Sequence, residues 1–180
     1  MPQALKTRFC PSPTGEIHIG NMRTALFNYL FSRAQGGAFL LRIEDTDRER
    51  SKAIYEEALC SHLQALGLAW DEGPDIDLGQ GPYHQSERQN VYNDYYKRLT
   101  ASGLAYPCFC SQDHLALTRR LQLASGKPPR YPGTCRSLSE TEIAQKIQQG
   151  ESPVLRFDVT QAADVHFVDL VRSDQRFAAA

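Results

Sequence analysis

Residues 38–43 (AFLLRI) are apolar but for Arg42, the pattern of a strand buried on both faces of a parallel sheet. A parallel partner needs a crossover, and the residues ahead of it supply one. Residues 7–11 read as a short strand, and a run rich in Pro, Ser and Gly leads on to Gly20. From a helix start near Asn21, the residues Met22, Ala25, Leu26, Tyr29 and Leu30 recur at helical spacing. Phe27 and Phe31 widen this stripe, which predicts a well-buried helix, and Gly36-Gly37 stops it. Strand, helix and strand within about 37 residues make a βαβ unit, whose crossover is expected to be right-handed.

Further helices are expected over residues 51–66, stopped by Gly67, and over 86–102, opened by Ser86 and Gln89 in capping-box positions. A loop rich in Gly, Asp and Pro lies between them. From Ala105 the character changes. Cys108 and Cys110 are expected at a turn, a basic helix covers residues 111–125, and Gly126-Lys127-Pro128-Pro129 breaks it. Ser139 and Glu142 form another capping box before a short helix to Gln149, and residues 154–157 and 165–171 read as strands. The expected fold class is α/β: the first half of a Rossmann-like parallel-sheet domain over residues 1–104, followed by an inserted α+β domain over residues 105–180.

Composition matters chiefly for what it excludes. A chain of 180 residues that is 41% hydrophobic and 23% charged is not a disordered one. A net charge of −1 supplies no whole-molecule attraction to nucleic acid, so any RNA contact must come from a local patch. Residues 111–138 offer one: Arg119, Arg120, Lys127, Arg130 and Arg136 stand against the single acid Asp113, a local net charge of +4. No basic segment followed by an apolar run opens the chain, and no stretch nears the roughly 18 apolar residues of a membrane helix. A cytoplasmic location is expected, with neither membrane nor DNA as a partner. Five cysteines is an odd number, and in a reducing compartment the tight Cys108-x-Cys110 pair suggests metal before disulfide.

In open parallel sheets ligands collect beyond the carboxyl ends of strands, where residues 11–20 and 44–47 both fall. A helix starting at Asn21 would present free N–H groups and partial positive charge to a phosphate. Gly15 and Gly20 would allow close backbone approach, and His18 would donate to a phosphoryl oxygen as charge builds there. The usual nucleotide motifs are absent. No G-x-G-x-x-G follows the first strand, and Gly126-Lys127 leads into Pro128 without the rest of a P-loop. Taken singly, His18 is also consistent with a surface-loop histidine, and Glu44 and Asp45 with a solvated strand end.

The combination is more specific. Pro11-Ser12-Pro13-Thr14-Gly15, then His18-Ile19-Gly20-Asn21, then Arg42-Ile43-Glu44-Asp45-Thr46-Asp47-Arg48, resembles the amino-terminal half of bacterial glutamyl-tRNA synthetases, which are class I aminoacyl-tRNA synthetases. The resemblance runs over essentially the whole chain, including Trp70-Asp71-Glu72-Gly73-Pro74 and the late cysteines. It implies that Arg8 pairs with the side-chain carboxylate of substrate L-glutamate, that Cys10 and Ser12 line the same pocket, and that Glu44 holds the ammonium. It implies further that Pro11, Thr14, Gly15, His18, Gly20 and Asn21 bind ATP, with His18, Gly20 and Asn21 as the catalytic group. Glutamate would attack the α-phosphorus of ATP with Mg²⁺ assisting, and the glutamyl group would then pass to the acceptor end of tRNA(Glu). No protein nucleophile and no perturbed acid–base pair is expected. Arg48 and Arg50 lie where an RNA end would approach, or form a solvated basic loop paired with Glu49. Arg119, Arg120 and Arg130 would face the acceptor end, or line a solvated helix face.

Cys108, Cys110, Cys135 and Tyr131 resemble the family's zinc-binding insertion. Many members carry a histidine two residues after the last cysteine, where Ser137 stands here. Tyr131 matches the ligand tyrosine of the related glutamyl-queuosine tRNA(Asp) synthetases, and His114 is a local substitute. A metal-free insertion held by packing is the alternative to Zn²⁺. The family's Lys-x-Ser-Lys loop has no counterpart among Lys6, Lys52, Lys97, Lys127 and Lys146. An incomplete catalytic domain is therefore expected, inactive alone and with an open apolar sheet edge. Three readings stand: a glutamate–tRNA ligase fragment, a glutamyl-queuosine tRNA(Asp) synthetase, or a non-catalytic tRNA- or zinc-binding module.

Overall fold

The computed structural model of the chain describes residues 5–161 and 163–178; residues 1–4 and 179–180, the outer ends of the two expected domains, lie outside it. β1 (Lys6–Phe9) leads through a loop into α1 (Ile19–Ala34), and β2 (Ala38–Leu41) returns parallel to β1, with Lys6 opposite Ala38 and Phe9 opposite Leu41. The βαβ unit is thus present. Its helix begins two residues before Asn21 because the extended backbone ends at His18, whose side chain caps the first turn.

Phe9, Ala25, Phe39, Leu41, Ile43, Leu59, Leu63, Leu68 and Trp70 form the core around β2, with the ring of Tyr29 set edge-on to Phe39 at 5.6 Å. α1 is not the well-buried helix its apolar width predicts. Within it only Ala25 and Ser32 are buried, while Phe27 and Leu30 are 67% and 54% exposed. Two strands about 4.8 Å apart cover one stripe of a helix, and the added width from Phe27 lies beyond that stripe.

On its other side β2 gains a parallel neighbour that the Gly-, Asp- and Pro-rich composition predicts only as loop. Asp71 N donates to Phe39 O and Leu41 N to Glu72 O, both at 2.9 Å. The same edge continues where Ile43 N donates to Tyr83 O and Gln85 N to Ile43 O, each at 2.9 Å. Buried Glu72 accepts from the Tyr83 hydroxyl at 2.9 Å and pairs with Lys6. α2 (Ala53–Ala65) packs Leu59 and Leu63 into the core and stops before Gly67, which sits at φ +70°.

No capping box forms at Ser86. Its N–H and hydroxyl both go to Asp45, at 2.9 and 2.6 Å, and Gln85–Arg88 form a 3₁₀ turn ahead of α3 (Gln89–Ala101). Ser86 lies inside that turn and not ahead of α3, and its N–H, which a box would give to the Gln89 side chain, goes to the Asp45 carboxylate.

The chain divides into two compact units, Met1–Tyr92 and Asn93–Ala180, a division that falls inside α3, whereas the boundary expected from the sequence is 104/105. In the second unit β3 (Ala105–Cys108) pairs antiparallel with β4 (Val154–Phe157), so Cys108 ends a strand where a turn was expected. α4 (Gln112–Ala124) is capped by Ser111, and α5 (Glu140–Gln148) by the Ser139–Glu142 capping box. The strand expected over 165–171 is β5 (Val165–Asp169), and it returns as β6 (Ser173–Phe177), a partner too polar to show an apolar pattern. Among the described residues no helix is long and apolar enough to cross a membrane.

Candidate functional site

The pairing of β1 and β2 continues past the strands themselves. Arg42 N donates to Phe9 O at 3.0 Å and Glu44 N to Pro11 O at 2.9 Å, and Lys52 N reaches Pro13 O at 3.1 Å. These bonds set Cys10, Pro11 and Ser12 against Glu44, so the two segments distinctive in sequence are neighbours in space. Arg8 is exposed on β1. The Glu44 carboxylate accepts from Arg42 Nη2 at 3.2 Å, leaving its second oxygen without that partner.

Residues 11–18 with Asn21, and with Tyr55 and Leu59 from α2, line a cavity of about 200 Å³. Pro11, Ser12, Thr14, Gly15, His18 and Asn21 are thereby gathered in one place. Arg8, Cys10 and Glu44 do not line it, and Gly20 faces instead an apolar groove of about 630 Å³ with Ile19, Met22 and Leu26. Tyr55 and Leu59 carry no sequence signal beyond helical spacing, and only the docking of α2 reveals them.

His18 Nδ1 accepts the Gly20 N–H at 3.0 Å. With Nδ1 an acceptor, the proton of the neutral ring sits on Nε2, which makes Nε2–H the available donor. A Cβ at residue 20 would lie 2.8 Å from His18 Cε1 and 2.9 Å from Nδ1, so glycine is what lets the imidazole fold back over the helix start. At Gly15 a Cβ would meet nothing within 4 Å, and the protein itself sets no demand for glycine there. The helix start has fewer free donors than expected, because Asn21 and Met22 N–H also donate to His18 O, at 2.9 and 3.3 Å.

Beyond Glu44, the Asp45 carboxyl is lowered: burial opposes this, but the two donors of Ser86 outweigh it. Arg50 pairs with Asp47, not with Glu49, through Nε at 2.7 Å and Nη2 at 2.6 Å, because the turn at 47–50 brings residues i and i+3 together. Arg50 holds the Asp47 carboxyl below its usual range. Arg48 and Arg50 are both exposed.

In the second unit the Sγ atoms of Cys108, Cys110 and Cys135 lie within 4.8 Å of one another. Cys110 and Cys135 sulfurs are 3.7 Å apart, and the Tyr131 hydroxyl lies 3.2 Å from Cys108 Sγ and 3.6 Å from Cys110 Sγ. Tetrahedral zinc with Zn–S near 2.3 Å separates its sulfurs by about 3.8 Å, and an oxygen ligand from sulfur by about 3.5 Å. Three thiols and a phenol therefore fit that ion. Neither His114 nor exposed Ser137 joins the group. Burial would raise the Cys108 thiol, but hydrogen bonds from Tyr131 and Arg156 bring it down to about 6. Burial chiefly, with Cys135 and Cys108 adding to it, pushes Cys110 up.

Arg119 and Arg120 are exposed on α4, and Arg119, Arg130 and Tyr131 line a cavity of about 210 Å³ in which Arg120 takes no part. Arg136 is drawn out of the patch by Asp158, whose Oδ1 lies 3.3 Å from its Nε. Arg156, on β4, and Asp158, just after it, lie outside the basic 111–138 segment.

Residues 4–179 match the family described as tRNA synthetases class I (E and Q), catalytic domain. The glutamate–tRNA ligase 2 of Coxiella burnetii strain RSA 331 / Henzerling II is 58% identical over 173 residues, 96% of this chain and 37% of its own. The glutamate–tRNA ligase 2 of Alkalilimnicola ehrlichii is 53% identical over 98% of this chain and 37% of its own. Among solved structures, a glutamate tRNA ligase from Elizabethkingia meningosepticum, crystallised in complex with its amino acid, superposes with a TM-score of 0.86 at 33% identity, over 97% of this chain and 36% of that one. The chain thus spans little more than a third of the length of these relatives. Its strand-end signatures, its parallel β1–α1–β2 unit and these matches together make it a member of the class I (E and Q) tRNA synthetase catalytic-domain family.

Proposed function

We propose that the chain is the amino-terminal catalytic part of a glutamate–tRNA ligase. The observation that carries this is the juxtaposition of the Pro11–Glu44 bond with the His18 cap, which sets a carboxylate, a histidine donor and a cavity at one end of the β1–β2 pair. In this reading Arg8 forks onto the side-chain carboxylate of L-glutamate, Cys10 and Ser12 line its pocket, and the oxygen of Glu44 not engaged by Arg42 takes the ammonium. Pro11, Thr14, Gly15, Gly20 and Asn21 hold ATP, and His18 donates Nε2–H to a phosphoryl oxygen. An oxygen of the glutamate α-carboxylate attacks the α-phosphorus, the bond to the β-phosphate oxygen breaks, and pyrophosphate leaves. A ribose hydroxyl of the tRNA then attacks the carbonyl carbon of glutamyl-adenylate, and AMP leaves. The protein's part is to position and to offset charge. Mg²⁺ would come with the phosphates, since among the described residues the cysteines are the group of three or more ligands that converge.

Arg48, Arg50, Arg119, Arg120 and Arg130 are assigned to the phosphates of the tRNA acceptor end. Cys108, Cys110, Cys135 and Tyr131 would hold Zn²⁺, which would cross-link the end of β3 to the 131–135 segment without entering the reaction. Residues 1–104 then serve as the nucleotide- and glutamate-binding part and 105–180 as the acceptor-end insertion, working in the cytoplasm. A second reading, glutamyl-queuosine tRNA(Asp) synthetase, is favoured by one observation, the Tyr131 hydroxyl among the thiols.

Glutamate- and tRNA-dependent ATP–pyrophosphate exchange tests the reading, run on this chain beside a longer protein that contains it. Exchange in the longer protein with charging of tRNA(Glu) is the expected result. Charging of queuosine-bearing tRNA(Asp) in its place would establish the second reading, and tRNA binding without exchange in either protein would leave a non-catalytic module.

A further inference from the structure

The cysteine and tyrosine cluster is backed by a cation that the motif does not announce. Arg156 lies on β4 directly opposite Tyr106 of β3, two residues before Cys108. Side chains two apart on a strand share a face, and diagonal cross-strand neighbours are within reach of a long side chain. Arg156 is thereby delivered to the face that carries Cys108. Its guanidinium carbon sits 4.0 Å from the centroid of the Tyr131 ring, the same ring whose hydroxyl touches Cys108 and Cys110. Arg156 Nε is buried and has no hydrogen-bond partner. A buried donor on a permanent cation is costly unless negative charge lies close by.

Three thiolates and a phenol around a dication leave at least one excess negative charge, and Arg156 is the cation stacked on the group that completes the set. We propose that Arg156 is a positioning residue of the metal centre: by stacking on Tyr131 it holds the phenol oxygen over the three sulfurs and offsets their charge, and so sets the affinity for zinc. This rests on the assignment of Cys108, Cys110, Cys135 and Tyr131 as zinc ligands. The guanidinium is planar and lies against the ring, a contact that an ammonium does not reproduce.

The test is zinc affinity, measured on the purified, reduced chain by competition with a chromophoric chelator, for wild type, Arg156→Met, Arg156→Lys, Tyr131→Phe and the Met/Phe double variant. Arg156→Met keeps most of the stem and removes the charge and the plane. Loss of an outer partner of a metal ligand costs about 10–100-fold in affinity, and that is the loss expected for Arg156→Met. Arg156→Lys should fall between it and wild type. With Tyr131 already Phe, the added effect of Arg156→Met should shrink without vanishing, because the part that runs through the phenol oxygen is gone while the contact of Arg156 with Cys108 remains. Cobalt substitution supplies a readout that folding alone does not move: the visible ligand-field bands of the Arg156→Met protein should shift toward those of Tyr131→Phe.

Equal zinc affinity and equal cobalt spectra in wild type and Arg156→Met would overturn the role of Arg156 while leaving the zinc site intact. A full Arg156→Met loss in the Tyr131→Phe background would overturn the route through the phenol. A wild-type chain that takes up no stoichiometric zinc would overturn the ligand assignment and this inference with it. Should Arg156→Met fail to fold, Arg156→Lys carries the comparison, and wild-type affinity in that variant overturns the stacking role.

Discussion

Ser86 gives both its backbone N–H, at 2.9 Å, and its hydroxyl, at 2.6 Å, to the carboxylate of Asp45, the residue that follows Glu44. With Ile43 also bonded to Tyr83 and Gln85 on the same strap, Glu44 is held between two fixed neighbours. Removing the hydroxyl in Ser86→Ala should cost about 1–2 kcal/mol of unfolding free energy in urea at neutral pH. The folded Asp45 carboxyl lies below its unfolded value, so its contribution is complete above the ordinary carboxylate range near about 4 and is lost as pH falls through the folded value. Ser86→Ala should flatten that acid limb. A pH–stability curve parallel to wild type would show that the hydroxyl is not what depresses Asp45.

His18 has two separable tasks, capping α1 through Nδ1 and presenting Nε2–H. Asparagine is a good N-cap but has no donor where Nε2 would be. His18→Asn should therefore keep stability within a few tenths of a kcal/mol while His18→Ala loses about 1 kcal/mol. In the longer protein both should lower ATP–pyrophosphate exchange by about 10²–10³-fold. Exchange restored by Asn would confine His18 to the cap. Gly20→Ala should mimic the loss of activity, since the new methyl would lie 2.8 Å from His18 Cε1 and displace the ring.

Asp71 Oδ2 accepts from Arg33 Nη1 and from the Phe39 N–H, each at 2.7 Å, and ties α1, β2 and the 70–72 segment together. Asp71→Ala should cost about 2–3 kcal/mol, because it leaves both donors without that acceptor. Arg33 above all holds the Asp71 carboxyl down, so the wild-type contribution is present above the usual carboxylate range and fades as pH falls through the lowered value. Thermal melts of the two proteins should converge in acid. A constant gap down to low pH would mean that the pair contributes by packing alone.

Arg119 and Arg120 are exposed, whereas Arg136 is engaged by Asp158. Each phosphate contact adds about 0.7–0.9 to the slope of log affinity against log salt. Neutralising Arg119 and Arg120 together should weaken tRNA binding uniformly and reduce that slope by about 1–2, with Arg136→Gln changing it far less. Binding isotherms at several salt concentrations decide this, and an unchanged slope for the double variant would remove α4 from the RNA interface.

Most of the β1–α1–β2 unit was legible because each part is written in a few adjacent residues. The apolar run at 38–43, the helical spacing from Met22 to Leu30 and the glycines at 36 and 37 depend on local periodicity and backbone preference. The same holds for the Ser139–Glu142 box, whose two bonds lie within one turn. Ser86 shows where this stops. It carries the same local signal as Ser139, yet Asp45 takes its backbone N–H and a 3₁₀ turn holds it short of the helix start, so the box does not form.

Local residue order was enough to determine which types of element form, where the cysteines fall and which segments carry the family's signatures. Folding determined which distant groups meet: residues 71–72 as the second neighbour of β2, Tyr55 beside the 11–18 loop, and Arg156 on the ring of Tyr131. It also left much of α1 exposed despite its apolar pattern. The physical reason is that periodicity records a residue's preference for burial, whereas burial, hydrogen-bond choice and charge compensation depend on partners brought together across long separations in sequence.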